Sequence, residues 1–246
     1  MHKLGLLGKN ISYSFSRAYF KNKFESERIT DWSYENFDID HIEAFATILK
    51  NTPNLKGLNV TTPYKLAVIP YLDQLDKQAQ EIGAVNTIRV TGDGKLVGYN
   101  TDCYGFEKSI APLLNSNHNS ALILGTGGAS KAIAYGLKHL GIPYKYVSRT
   151  ASNHVSYTYD DLTETIIKQH FIIINCTPLG TFPNVKACPD IPYGGITENH
   201  VLYDLIYNPN ETSFLRKGKE HGATICNGLK MLELQAEKSW SIWNLD

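Results

Sequence analysis

The sequence has no charge excess of either sign, with lysine plus arginine and aspartate plus glutamate at 24 each. Without a basic field it has nothing with which to grip a polyphosphate backbone, so nucleic acid is not expected as a partner. Long hydrophobic runs are missing as well. No stretch approaches the ~20 consecutive apolar residues a membrane-spanning helix needs, and the apolar start Leu4 to Leu7 is too short for the core of a secretory signal. No membrane partner is expected, and the expected location is cytoplasmic. Cysteine is sparse: Cys103, Cys176, Cys188 and Cys226 show none of the short paired spacings that hold zinc, and their scatter suits reduced thiols. No metal site is expected, and there is no internal repeat or low-complexity tract.

What is present is a chain of 246 residues with 42% hydrophobic content, enough for one large domain or two modest ones with real cores. Short apolar runs bounded by turn residues alternate with longer segments of helical period, the pattern of a parallel sheet wrapped by helices. Strands are expected at 3–7, 34–39, 57–60, 84–90, 121–124, 144–148, 171–175, 201–204 and 223–226. Helices are expected at 17–27, 42–51, 67–82, 102–114, 130–140, 161–169, 213–221 and 229–244. The run Thr91-Gly92-Asp93-Gly94 reads as a tight turn between two strands. The polar stretch from Asn115 to Ser120 reads as a surface loop, after which a new folding unit begins.

That unit opens with the clearest motif in the chain. Ala121 to Leu124 runs directly into Gly125-Thr126-Gly127-Gly128-Ala129-Ser130 and then into the helical run Lys131 to His139. In a strand, glycine turn and helix of this kind, glycines permit positive φ and let a pyrophosphate approach the backbone. The helix N-terminus adds free N–H groups and a positive dipole end. A tight turn in a helix-covered sheet can give the same letters, and the context is what favours a dinucleotide. The next strand ends at Ser148-Arg149-Thr150, about twenty residues past the glycines, where an NAD site usually places an acid for the ribose 2′-hydroxyl. No acid is there. A guanidinium helped by two hydroxyls suits a 2′-phosphate, so NADP is the expected cofactor; otherwise Arg149 is a solvated residue after a strand.

Two polar runs in the first half carry a candidate catalytic pair. Lys65 closes the run Asn59-Val60-Thr61-Thr62-Pro63-Tyr64-Lys65, where a proline ends a strand and suits a first helical turn. Asp102 closes Asn100-Thr101-Asp102, which reads as a cap before a helix. Taken singly they read equally as a solvated lysine and an ordinary cap. Near the start, Ser14 and Ser16 lie two residues apart, so in an extended segment both hydroxyls point the same way and can hold a carboxylate; Ser16 can equally be the N-cap of the following helix.

These runs, with Gly83-Ala84-Val85-Asn86-Thr87, Asn175-Cys176-Thr177-Pro178-Leu179-Gly180, Tyr203 to Pro209 and Asn227 to Gln235, occur in the order found in shikimate dehydrogenases, and the chain resembles that family over nearly its full length. The glycine turn is widely shared; the Asn-Val-Thr-x-Pro-x-Lys and Gly-Ala-Val-Asn-Thr runs are specific. The resemblance implies two α/β domains separated by a cleft. An N-terminal substrate domain would take in 1–101 plus 228–246, the last helix returning to it, and a Rossmann-type dinucleotide-binding domain 102–227. It implies reversible NADPH-dependent reduction of 3-dehydroshikimate to shikimate, in the chorismate and aromatic amino acid pathway, by a monomer or homodimer. Lys65 and Asp102 would be catalytic, flanking the reacting oxygen. Ser14 and Ser16 would hold the substrate carboxylate, and Asn59, Thr61, Asn86, Tyr207 and Gln235 would line the ring pocket. Gly125, Thr126, Gly127, Gly128, Ala129, Ser130, Ser148, Arg149, Thr150, Thr177, Leu205 and Gly228 fall where the family contacts NADP.

The chain also departs from the family pattern. Tyr13 stands where many members have histidine, and Arg17 where they have proline, which removes a fixed φ and adds a positive charge near the carboxylate site. Members selective for NADP often carry a second basic residue shortly after Arg149; here that position is Asn153, with His154 the nearby alternative. The stretch from Thr150 to Asp161 is compact, and the chain is somewhat short for the family. Rival readings are an enzyme of the same fold that oxidises quinate or uses NAD, a nucleotide-sensing regulator, and a plain structural α/β domain.

Overall fold

The structure is a computed structural model and describes residues 1–12 and 14–245; Tyr13, singled out above, lies outside the described residues. Two compact units divide the chain, one formed by 1–101 and 236–246, the other by 102–235.

The first unit starts with β1 (His2–Gly8), α1 (Phe15–Ser26), β2 (Trp32–Asp38), α2 (Phe45–Asn51) and β3 (Leu55–Val60), followed by the short α3 (Tyr64–Ala67). It continues through β4 (Gln74–Leu75), α4 (Lys77–Ile82), β5 (Thr87–Val90) and β6 (Leu96–Tyr99). Its sheet has the order β2-β1-β3-β5-β6-β4. β1 pairs in parallel with β2 and β3, whereas β3–β5 and β5–β6 are antiparallel, so this sheet is mixed. For β5–β6 the cause is the expected Thr91 to Gly94 turn, which folds β6 back on β5 and leaves no room for a crossover helix.

The second unit carries α5 (Asp102–Ile110), β7 (Ala121–Leu124), α6 (Gly128–His139), β8 (Tyr144–Ser148), β9 (Tyr157–Thr158) and α7 (Glu164–Lys168). It then runs through β10 (Ile172–Asn175), β11 (Val201–Asp204), α8 (Ser213–Glu220), β12 (Thr224–Cys226) and the start of α9 (Leu229–Trp243). Its sheet, β12-β11-β10-β7-β8-β9, is parallel at every pairing, the doubly wound order of a dinucleotide fold. Both faces are covered. Ala121 and Ile123 join Phe106, Ile133 and Leu137 in one core cluster, while Leu122 and Leu124 join Ile167, Leu202 and Phe214 in the other. That two-sided burial is why the strands read as unbroken apolar runs.

Several expectations need correction. The helix expected over 67–82 is α3, a 3-10 turn at Ile69–Tyr71, β4 and α4. Pro70 lies in that 3-10 turn, and Asp76 starts α4 anew, its carboxylate accepting from Gln78 and Ala79 N–H. The strand expected from Ala84 begins only at Thr87. Residues 228–235, expected with the first domain, group with the second unit: a Cβ on Gly105 of α5 would sit 2.5 Å from the Met231 carbonyl, so the two helix backbones touch there. The later part of α9 packs in the first unit, where Trp243 Nε1 donates to the Ile88 carbonyl at 2.9 Å. No helix among the described residues is long and apolar enough to cross a membrane.

Candidate active site

In the first unit, the loop after β1 is held by the end of β2. Asp38 accepts the backbone N–H groups of Asn10 and Ile11 at 2.8 and 3.0 Å, and Asn36 Nδ2 donates to the Ile11 carbonyl at 2.9 Å. This fixes the entry into α1. Ser14 is its N-cap, with Oγ accepting the Ser16 N–H at 3.3 Å, and Ser16 lies in the first helical turn. The expectation that Ser14 and Ser16 share an extended segment is therefore corrected, as is Ser16 as the cap: a hydroxyl placed to accept from the second helical residue converts the segment to a helix start.

Behind α1 lies a buried polar network. Ser16 hydrogen-bonds the Tyr34 hydroxyl, which donates to Asn59 Oδ1 at 2.8 Å. Asn59 Nδ2 donates to Ser239 Oγ at 3.0 Å and Thr87 Oγ1 at 3.3 Å, and Ser239 Oγ lies 2.8 Å from Thr87 Oγ1 and 3.1 Å from Thr101 Oγ1. Asn59, Asn86, Thr87, Thr101 and Ser239 are all buried. Burial drives the Tyr34 hydroxyl pKa far above the usual phenol range, so it stays a neutral donor. Sequence reasoning found Asn59 and Asn86 but missed Tyr34 and Ser239, one on an ordinary strand and the other on an amphipathic helix.

The Gly83 to Asn86 turn ties the candidate catalytic runs together. Gly83 closes α4 with φ 67°, the left-handed region that glycine tolerates. Next, Ala84 O accepts Asn100 Nδ2 at 2.9 Å, Val85 N–H donates to Lys65 O at 2.8 Å, and Asn86 N–H donates to Tyr99 O at 3.1 Å. Asn86 Oδ1 accepts Thr101 N–H at 2.7 Å. Lys65, on α3 at the end of β3, is half-buried. Thr61 holds that corner, its N–H bonded to Leu7 O and its carbonyl accepting from Tyr64 N–H, both at 2.9 Å. Asp102 is the first residue of α5 and only 7% exposed.

In the second unit, the glycine turn has the predicted form. Gly125 follows β7 with φ 99°, and Gly127 caps α6 with no side-chain hydrogen bond. A Cβ on Gly127 would meet nothing within 4 Å, and the first turn of α6 contains no acidic residue. The backbone N–H groups of Gly128, Ala129 and Ser130 thus start a helix with no acidic side chain in its first turn to compete for its dipole end. Thr126 is exposed beside them. Ser148 ends β8, followed by the exposed Arg149 and Thr150. Close by is a group the sequence did not flag. The Tyr159 hydroxyl is buried with no hydrogen-bond partner among the described residues, and the Arg149 charge partly offsets the burial that pushes it up to about 12. An orphaned donor beside a guanidinium and an uncapped glycine turn fit a phosphorylated dinucleotide such as NADP.

Thr177 reaches this turn from β10, since a Cβ on Gly125 would lie 3.1 Å from Thr177 Cγ2. Leu205 and Gly228 also come together: Gly228 N–H donates to Ile206 O at 3.0 Å, and any side chain at Gly228 would collide with the Leu205 carbonyl. Tyr207 is half-buried in the loop after β11. Gln235 is buried on α9, with Nε2 donating to Leu232 O at 2.9 Å.

The family model for the shikimate dehydrogenase substrate binding domain matches residues 6–88. The NADP(+) shikimate dehydrogenase of Methanosphaera stadtmanae is 35% identical over 97% of this chain and 90% of its own length. That of Clostridium beijerinckii is 38% identical over 99% of this chain and 92% of its own. This chain belongs to the shikimate dehydrogenase family. Among solved structures, the Thermus thermophilus shikimate dehydrogenase in complex with NADP(H) and shikimate superposes with a TM-score of 0.87 at 30% identity, covering 99% of this chain and 94% of that one. The family's substrate binding domain model ends at position 88, just past the Gly83 to Thr87 run.

Proposed function

We propose that the protein is an NADP-dependent shikimate dehydrogenase that reversibly reduces 3-dehydroshikimate to shikimate, in the pathway to chorismate and the aromatic amino acids. The observation that carries this reading is the Gly83 to Asn86 turn, which bonds in one short stretch to Lys65, Tyr99, Asn100 and Thr101. Asp102 follows Thr101 in the chain, so the run bearing each candidate catalytic residue is anchored on the same four residues.

When bound, NADPH would supply the hydride for the carbonyl carbon. Gly125 to Ser130 would hold its pyrophosphate and Ser148, Arg149 and Thr150 its 2′-phosphate, with Thr177, Leu205 and Gly228 as further contacts. Lys65, as the ammonium, donates the proton that the reduced oxygen needs, and takes it back in the oxidative direction. Asp102 accepts a hydrogen bond from the neighbouring substrate hydroxyl. Ser14 donates to the substrate carboxylate, and Ser16 joins it by turning its hydroxyl away from Tyr34, while Asn59, Thr61, Asn86, Tyr207 and Gln235 contact the ring hydroxyls. The fixed amides of Asn59 and Asn86 support this, because side chains locked by a buried network orient a substrate without further ordering. The four free cysteines fit a cytoplasmic enzyme.

The test is absorbance of reduced nicotinamide with purified protein and shikimate or quinate, each with NADP+ or NAD+. Shikimate with NADP+ is expected to give the highest kcat/KM. Absence of turnover in all four combinations, with NADPH still bound, would instead support a nucleotide sensor.

A further inference from the structure

Asp204, at the end of β11, is fully buried and is given no part in the chemistry above. Its Oδ1 accepts Asn175 Nδ2 and the Ile206 N–H, both at 3.0 Å, and its Oδ2 accepts the Thr212 hydroxyl at 2.6 Å. An ionised carboxylate only accepts, so it can face the Nδ2 end of the Asn175 amide and not the Oδ1 end. The opposite end is thereby aimed at Thr177: Asn175 Oδ1 accepts the Thr177 N–H at 3.0 Å and its hydroxyl at 2.6 Å. Thr177 lies against Gly125, and its Oγ1 already accepts the Leu179 N–H at 3.3 Å. Its hydroxyl proton is spent on Asn175 and one lone pair on Leu179, so it offers one remaining lone pair, which suits a donor group on a ligand. On the other side, the Ile206 N–H bond fixes the turn whose carbonyl receives Gly228 N–H and whose Leu205 backbone packs on Gly228.

We propose that Asp204 is a positioning residue for the cofactor site beside Gly125, setting through one buried carboxylate both the Asn175–Thr177 relay and the Leu205–Gly228 contact. The inference rests on the cofactor assignment above. Both arms converge on the C-terminal ends of β7, β10 and β11, where an open parallel sheet binds its ligand. A residue needed only for folding has no reason to fix the polarity of an amide that then fixes the polarity of a hydroxyl.

The test compares Asp204→Ala, Asp204→Asn and the core control Leu215→Ala, a side chain 1% exposed among the cluster that excludes Phe106 and Tyr203. The readouts are the Kd for NADPH by nucleotide fluorescence, KM and kcat, and the unfolding temperature. Asp204→Ala is expected to raise the NADPH Kd about 10-fold or more, the range in which loss of an outer partner weakens binding by the groups it orients. Asp204→Asn should recover to within about 3-fold, because its Oδ1 can still face Asn175 and Ile206 while Thr212 reverses to accept. Leu215→Ala should lower the unfolding temperature and leave the Kd unchanged. If Asp204→Ala does not fold, Asn175→Ala cuts the same relay and carries the same Kd expectation. An unchanged NADPH Kd in the folded Asp204→Ala or Asn175→Ala protein overturns the inference and leaves the proposed function standing. Wild-type protein that neither binds NADPH nor oxidises shikimate overturns both.

Discussion

Asn86 and Thr101 grip each other through both ends of one amide: Oδ1 accepts the Thr101 backbone N–H at 2.7 Å, and Nδ2 donates to the Thr101 hydroxyl at 2.9 Å. Both residues are at most 2% exposed, so neither bond is exchanged with solvent. The clasp fixes the chain one residue before Asp102.

Replacing that amide should cost both stability and rate. Asn86→Ala removes the acceptor of a buried N–H, a change worth ~1–3 kcal/mol, and is expected to lower the denaturant midpoint accordingly. Because it also loosens the approach to Asp102, kcat should fall with it, whereas a purely structural clasp would leave kcat of the folded variant at the wild-type value.

The paired serines should act on binding rather than on turnover. Ser14→Ala with Ser16→Ala is expected to raise the KM for shikimate and leave kcat within a few-fold, because a carboxylate is held alike in ground and transition state. Loss of the Ser14 cap also costs ~1 kcal/mol of helix stability, checked by thermal unfolding. A fall in kcat alone would mean the serines do not hold the carboxylate.

Cofactor choice should rest on Arg149. Charge-assisted hydrogen bonds are worth ~1.5–3 kcal/mol, so Arg149→Ala is expected to raise the KM for NADP+ by ~10–150-fold while leaving that for NAD+ within about 2-fold. Equal effects on the two nucleotides would show that the residue does not read the 2′-phosphate.

Asp204 gives a pH dependence with a definite sign. Burial pushes its carboxyl up to about 6, against the lowering effect of hydrogen bonds from Thr212, Ile206 and Asn175. The folded state thus holds the proton more tightly than the unfolded chain, whose aspartates titrate near ~3.9. The group's contribution to stability is fully present below ~4 and is lost as pH rises through about 6. Relative to Asp204→Asn, the wild type should gain stability between pH ~7 and ~4, by up to ~3 kcal/mol at 1.36 kcal/mol per pKa unit. A difference that stays flat across that range would contradict the assignment.

Much of this was legible in the sequence because its causes are local. β7 and β10 are buried on both faces and therefore appear as unbroken apolar runs, and Gly125 at φ 99° follows directly on β7. The 67–82 segment misled because its composition has helical period, while the breaks come from Pro70 and from Asp76 capping a new helix. The backbone at Ser14 and Ser16 was misread, since two hydroxyls two residues apart fit an extended pair as well as a helix start, and the structure caps α1 with Ser14. Tyr34, Ser239 and Tyr159 left no signal at all. Their roles come from neighbours far along the chain or, for Tyr159, from burial without a partner, and only packing reveals either.

The central claim is that Lys65 supplies the proton while the second unit binds the nucleotide, and one paired measurement on Lys65→Ala tests it most directly. Turnover of 3-dehydroshikimate is expected to fall by ~10²–10⁴-fold, the usual size of general acid help, with the NADPH Kd within about 2-fold of wild type. Turnover at the wild-type rate in the folded variant would contradict the account.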